Sequence, residues 1–144
     1  MNFTSQICTT REQSERLLNL GLKTETADCQ YAALVVDWKG TPISRPKWRF
    51  YDHNKGFIVQ NFEQMERIPA WSLHRLIEIM PQWIHTTDGS FKLTIDQGKL
   101  VCYREIAKEV QTFVFGHTSL YDSIIDTIEK LIKEGLFITD YLKD

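Results

Sequence analysis

The 144-residue chain has no long hydrophobic run, no large excess of one charge and no closely paired cysteines, and each absence excludes a class of protein. Its first twenty residues, MNFTSQICTTREQSERLLNL, contain no uninterrupted apolar segment of the kind a signal peptide carries. No later stretch approaches the roughly 18 apolar residues of a membrane span. The chain is therefore expected to stay in the cytoplasm, with no membrane partner. Seventeen basic residues stand against nineteen acidic ones, for a formal net charge of -2, so any attraction to nucleic acid or anionic lipid has to be local. Cys8, Cys29 and Cys102 are odd in number and lack the spacing of a zinc or redox motif, so three reduced thiols are expected. Internal repeats and low-complexity tracts are also missing.

The short signatures of catalysis are absent as well. The chain holds no GxGxxG, no GxxxxGKS/T, no HExxH, no GxSxG and no CxxC. Catalytic groups can converge from distant positions, so this lowers the odds of an enzyme without excluding one. No catalytic residue, metal ligand or cofactor is assigned from the sequence. Of the four histidines, His74 falls beside the apolar stripe of a helix and reads as exposed. His85 and Asp88 lie close enough to share a metal but read as turn residues, His53 sits at a turn tip, and His117 precedes a helix cap. Cys102 reads as a small buried hydrophobe, because a reactive thiolate needs a cation or helix N-terminus beside it.

What the chain does have is the composition of an ordinary globular protein, 42% hydrophobic and 25% charged, and a length able to bury a core without disulfides or metal. Thr9 and Glu12 have the spacing of a capping box for a helix over Thr10 to Leu20, which Gly21 would stop. Tyr31 to Trp38 is a short apolar run that reads as a strand. Ser72 can cap a helix carrying Leu73, Leu76, Ile77 and Met80 on one face, with Pro81 ending it and Trp71 and Trp83 packing in the core at its ends.

Phe91, Leu93 and Ile95 alternate with polar residues, and Leu100 to Arg104 follows Gly98, which predicts an antiparallel hairpin. The register with a three-residue loop, Asp96-Gln97-Gly98, puts Val101 and Tyr103 on the apolar face, whereas a two-residue loop would put Arg104 there. Val110 to Phe115 predicts a further strand. The last element, with Leu120, Ile124, Ile125, Ile128, Leu131 and Ile132 in one stripe, predicts a helix capped by Thr118 or Ser119, closed by Gly135 and built to cover a sheet. The fold class expected is α+β: a small antiparallel β-sheet, a hairpin plus additional strands, packed against two or three helices. Residues 1–144 are expected to form a single domain, with a basic-aromatic insertion at 40–68.

That insertion holds the one candidate site. Between Lys39 and Phe57 the chain carries Lys39, Arg45, Lys47, Arg49 and Lys55 against Asp52 alone, interleaved with Trp48, Phe50, Tyr51 and Phe57. Cations can track phosphates while aromatic faces stack on bases, so Lys47, Trp48, Arg49, Tyr51 and Lys55 form a candidate single-strand nucleic-acid site. The competing and favoured reading is an edge hairpin, Trp48 to Tyr51 against Phe57 to Val59, whose cations oppose aggregation while its aromatics pack inward. In an extended strand Lys47, Arg49 and Tyr51 share one face and Trp48 and Phe50 the other.

The stretches TREQSERLLNLGL, IPAWSLHRLIEIMP and SLYDSIIDTIEKLIKEGLF, about a third of the chain, resemble a group of small uncharacterised proteins of gut anaerobic bacteria and their prophages or conjugative elements. The resemblance implies an accessory role in a mobile genetic element and carries no activity or functional residues. The function expected is thus a non-enzymatic accessory or regulatory interaction domain that binds another macromolecule. Another protein is the first expectation, single-stranded nucleic acid the second and a small enzyme the third; the oligomeric state is left open.

Overall fold

The structure is a computed structural model that describes residues 6–52, 65–96, 100–105, 110–116 and 119–144. The first helix, α1 (Arg11–Asn19), is capped by a box one residue later than expected. Thr10 Oγ1 accepts from the Gln13 amide at 3.2 Å, and Gln13 Oε1 accepts from the Thr10 amide at 3.0 Å. Thr9 does not cap, because its hydroxyl is engaged in the interior with Ser14 Oγ at 2.7 Å and the Trp71 amide at 3.1 Å. Gly21, at φ 103°, ends the helix as expected: its amide bonds the Leu18 carbonyl and the Leu22 amide bonds Leu17.

The next strand is β1 (Cys29–Leu34), displaced toward the N-terminus from the expected Tyr31 to Trp38. The cause is Asp37, whose Oδ1 accepts from the amides of Lys39 and Thr41, both at 2.9 Å, and folds the chain into a turn completed by Gly40 at φ 80°. Trp38 consequently sits in the turn, 88% exposed. The chain returns as β2 (Arg49–Asp52) and then β3 (Met65–Ala70), both antiparallel to β1 in the order β2-β1-β3. In the expected hairpin the partner segment, Phe57 to Val59, lies outside the described residues; β2 itself pairs with β1. β3 was not expected. Its Pro69 pairs with Gln30 at the edge of the three-stranded array, a place where proline is tolerated because one flank of an edge strand carries no ladder bonds.

Ser72 caps α2 (Leu73–Ile79) by accepting from the Arg75 amide at 3.1 Å. A second sheet follows, a meander of β4 (Trp83–Thr86), β5 (Gly89–Asp96), β6 (Leu100–Glu105) and β7 (Val110–Gly116) in that spatial order. The β5–β6 hairpin pairs Ile95 with Val101 and Leu93 with Tyr103, so the apolar face is the one expected. Asp96 pairs with Leu100, which moves the intervening residues from 96–98 to 97–99, outside the described residues. The short β4 was not expected. It leaves Trp83 46% exposed beside Lys92, whose Nζ lies 5.9 Å from the ring centroid, which corrects the reading of Trp83 as core.

α3 (Leu120–Lys133) lies on β6 and β7. Ile124, Ile125, Ile128 and Leu131 are fully buried with Val101, Tyr103, Trp71 and Leu17 in the main core. Ser119 occupies the cap position, but its side chain makes no capping bond; Thr118 lies outside the described residues. Gly135, at φ 70°, closes the helix with the same pair of bonds that Gly21 supports in α1. A smaller core of Cys8, Cys29 and Ala70 underlies the three-stranded sheet. The architecture is α+β, with two antiparallel sheets where one was expected.

Candidate functional site

The register of the three-stranded sheet decides which side chains meet. Ala32 is opposite Arg49 on one side and Arg67 on the other, Gln30 is opposite Tyr51, and Leu34 is opposite Met65. Paired residues of an antiparallel sheet share a face and alternate along each strand. Arg49, Tyr51, Ala32, Leu34 and Met65 therefore lie on one face, and Tyr31, Phe50 and Ile68 on the other.

The second face is turned to the protein. Phe50 packs on the small core and meets the Tyr31 ring edge-on, with centroids 5.9 Å apart. The Tyr31 hydroxyl donates to the Thr9 carbonyl at 3.0 Å and lies 3.2 Å from Cys8 Sγ; burial pushes its pKa up. Trp48 is half-buried, with the Arg11 guanidinium 5.1 Å from its ring centroid. Neither Trp48 nor Phe50 accompanies the cations, which is the division that strand alternation predicts.

The first face carries a groove of about 430 Å³. Arg45, Lys47 and Arg49 line it together with Tyr51, and its floor is apolar, from Ala32, Leu34, Ile43 and Met65. The one-carbon side chain of Ala32 on the central strand, between Arg49 and Arg67, leaves a trough that a longer side chain would fill. Leu34 is 44% exposed within it. Among the described residues, no carboxylate lines the groove. Three positive charges over an apolar floor make a local field of one sign on a chain of nearly balanced charge.

Of the residues singled out from the sequence, Lys47, Arg49 and Tyr51 are brought to the groove, Trp48 is directed elsewhere, and Lys55 lies outside the described residues. The sequence reading of the site omitted Arg45, Ile43, Leu34 and Met65. The small Ala32 within the strand was the available sign of a trough, but only the β1–β3 pairing shows that Met65 closes its far side.

The other titratable groups are tied to local structure. His74 is exposed and lies 3.1 Å from Glu78 one helical turn on. His85 Nδ1 lies 2.8 Å from Ser90 Oγ, across the β4–β5 hairpin. His53 and His117 lie outside the described residues. None of the three cysteines is in a disulfide and all are buried, and Cys102 Sγ sits 3.0 Å from Thr94 Oγ1. Among the described residues no group of three or more His, Cys, Asp or Glu is placed to hold a metal, and no helix is long and apolar enough to cross a membrane. Comparison with known protein families, curated proteins and solved structures finds no match for this chain.

Proposed function

We propose that the protein is a non-enzymatic accessory domain that binds another macromolecule on the open, basic face of its three-stranded sheet. The observation that carries this reading is the convergence of Arg45, Lys47 and Arg49 on one groove with an apolar floor and no carboxylate among its described lining residues. Fixed cations of one sign raise the encounter rate with anionic partners, and an apolar floor supplies affinity once the partner has docked. An accessory role in a mobile genetic element, and a cytoplasmic setting, belong to the same proposal; the first rests on the three resembling stretches, and the second is in keeping with three buried cysteines, none of them in a disulfide.

The test is affinity capture from the native host with the wild-type protein and with the triple variant Arg45→Ala, Lys47→Ala, Arg49→Ala, in lysates with and without nuclease treatment. The expected result is a partner retained by the wild type, released by moderate salt and lost from the variant. Identical retention by both proteins would place the binding surface elsewhere. Retention that disappears only after nuclease treatment would identify the partner as nucleic acid.

A further inference from the structure

We infer that the groove receives an extended acidic segment of another protein, with one apolar side chain of that segment seated on the floor. This rests on the reading of the basic face as the binding surface, and it specifies the partner's chemistry. Charge complementarity sets the first requirement: Arg45, Lys47 and Arg49, at alternate positions in the sequence, all line the groove, with no carboxylate among its described lining residues. Three cations lining one groove call for a partner segment that presents several carboxylates close together, as an acidic peptide does.

The floor sets the second requirement. Leu34, Ile43 and Met65 surround the short side chain of Ala32 with aliphatic surface, a receptor for a leucine-like group. A nucleobase is recognised chiefly by stacking on aromatic faces. In this protein the aromatic neighbours of the cations are divided by the strand, with Tyr51 in the groove while Trp48 and Phe50 are on the protein side. The aliphatic floor thus favours a peptide over a single strand of nucleic acid.

The experiment is a titration of the isotope-labelled full chain, followed by amide chemical shifts in NMR, with three probes: the peptides Glu-Glu-Leu-Glu-Glu and Glu-Glu-Ser-Glu-Glu, and oligothymidylate. The leucine peptide is expected to shift the amides of Leu34, Ile43 and Met65 and to bind about tenfold or more tightly than the serine peptide, as burial of one leucine side chain implies. Binding should weaken at high salt. It should also weaken in Leu34→Ser, a substitution at a partly exposed position that leaves the fold intact and the cations in place. Equal binding of the two peptides would overturn the apolar seat. Oligothymidylate binding in the groove without peptide binding would overturn the inference while leaving the basic face as the binding surface. If no probe moves these amides at low ionic strength, the acidic-segment inference fails, and the capture experiment with the triple variant then decides separately whether the face binds anything.

Discussion

Trp71 ties three distant stretches of chain together, and its substitution gives a direct measure of that role. Its carbonyl accepts from the Thr9 amide at 2.9 Å, its own amide donates to Thr9 Oγ1, and its indole Nε1 donates to Thr26 Oγ1 at 3.0 Å. The Thr26 hydroxyl in turn donates to the Lys23 carbonyl at 2.7 Å. Trp71→Phe removes the indole donor and leaves a gap beside a buried oxygen, so a loss of roughly 2 to 3 kcal/mol is expected in urea denaturation. Because Thr26 is the other end of that bond, the double variant Trp71→Phe with Thr26→Val should lose less than the sum of the two single losses. At this scale the sequence indicated burial of Trp71 but not its partners. The same interior network explains why Thr9 fails as a cap: its oxygen is already bonded to Trp71 and Ser14, and Thr10 takes over the helix terminus.

Among the elements, those with a long period were legible and the short ones were not. The α3 stripe repeats over four turns, with Ile124, Ile125 and Ile128 in the core and Ile132 packed against it. Ile128→Ala should therefore destabilise the protein by roughly 2 to 4 kcal/mol through lost transfer energy and a residual cavity. A loss below about half a kcal/mol in chemical denaturation would mean that the stripe does not face the sheet. The capping glycines of α1 and α3 were equally readable, since both helices end where a positive φ is needed. β3 and β4 were not. β3 contains a proline that reads as the approach to a helix, and four-residue β4 shows too little alternation to separate it from a turn; both exist because a neighbouring strand offers them a ladder.

Across the whole molecule, α1 is fastened to α3 by charge. Arg16 Nη2 lies 2.6 Å from both Asp126 and Glu129, and Gln13 donates to Asp122 at 2.8 Å. The hydrogen bond from Arg16 draws the Glu129 carboxyl below its ordinary pKa, against an opposing effect of burial, and Lys133 adds to the lowering. A carboxyl depressed in the folded state stabilises the protein fully above its unfolded pKa of about 4.3 and loses that contribution as pH falls through the lower, folded value. Arg16→Ala should thus cost at most about 1 kcal/mol at neutral pH, because the groups are partly exposed, and its difference from the wild type should shrink as pH falls toward 3. Denaturant midpoints of the two proteins at pH 7 and pH 3 check this. An undiminished difference at pH 3 would assign the effect of Arg16 to packing of its stem.

The sequence by itself determined what depends on neighbours close along the chain: the helices, the Ser72 cap, the closing glycines of α1 and α3, the β5–β6 face and the separation of Lys47 and Arg49 from Trp48. These follow from backbone periods of 3.6 and 2 residues. Only the tertiary structure decided what depends on pairing across distance. The Asp37 turn placed β2 against β1, and the β1–β3 register placed Met65 opposite Leu34. Together they turned a dispersed run of cations into a groove with an apolar floor. No local pattern encodes that convergence, because it is set by which strand edges meet, and that choice belongs to the packing of the whole chain.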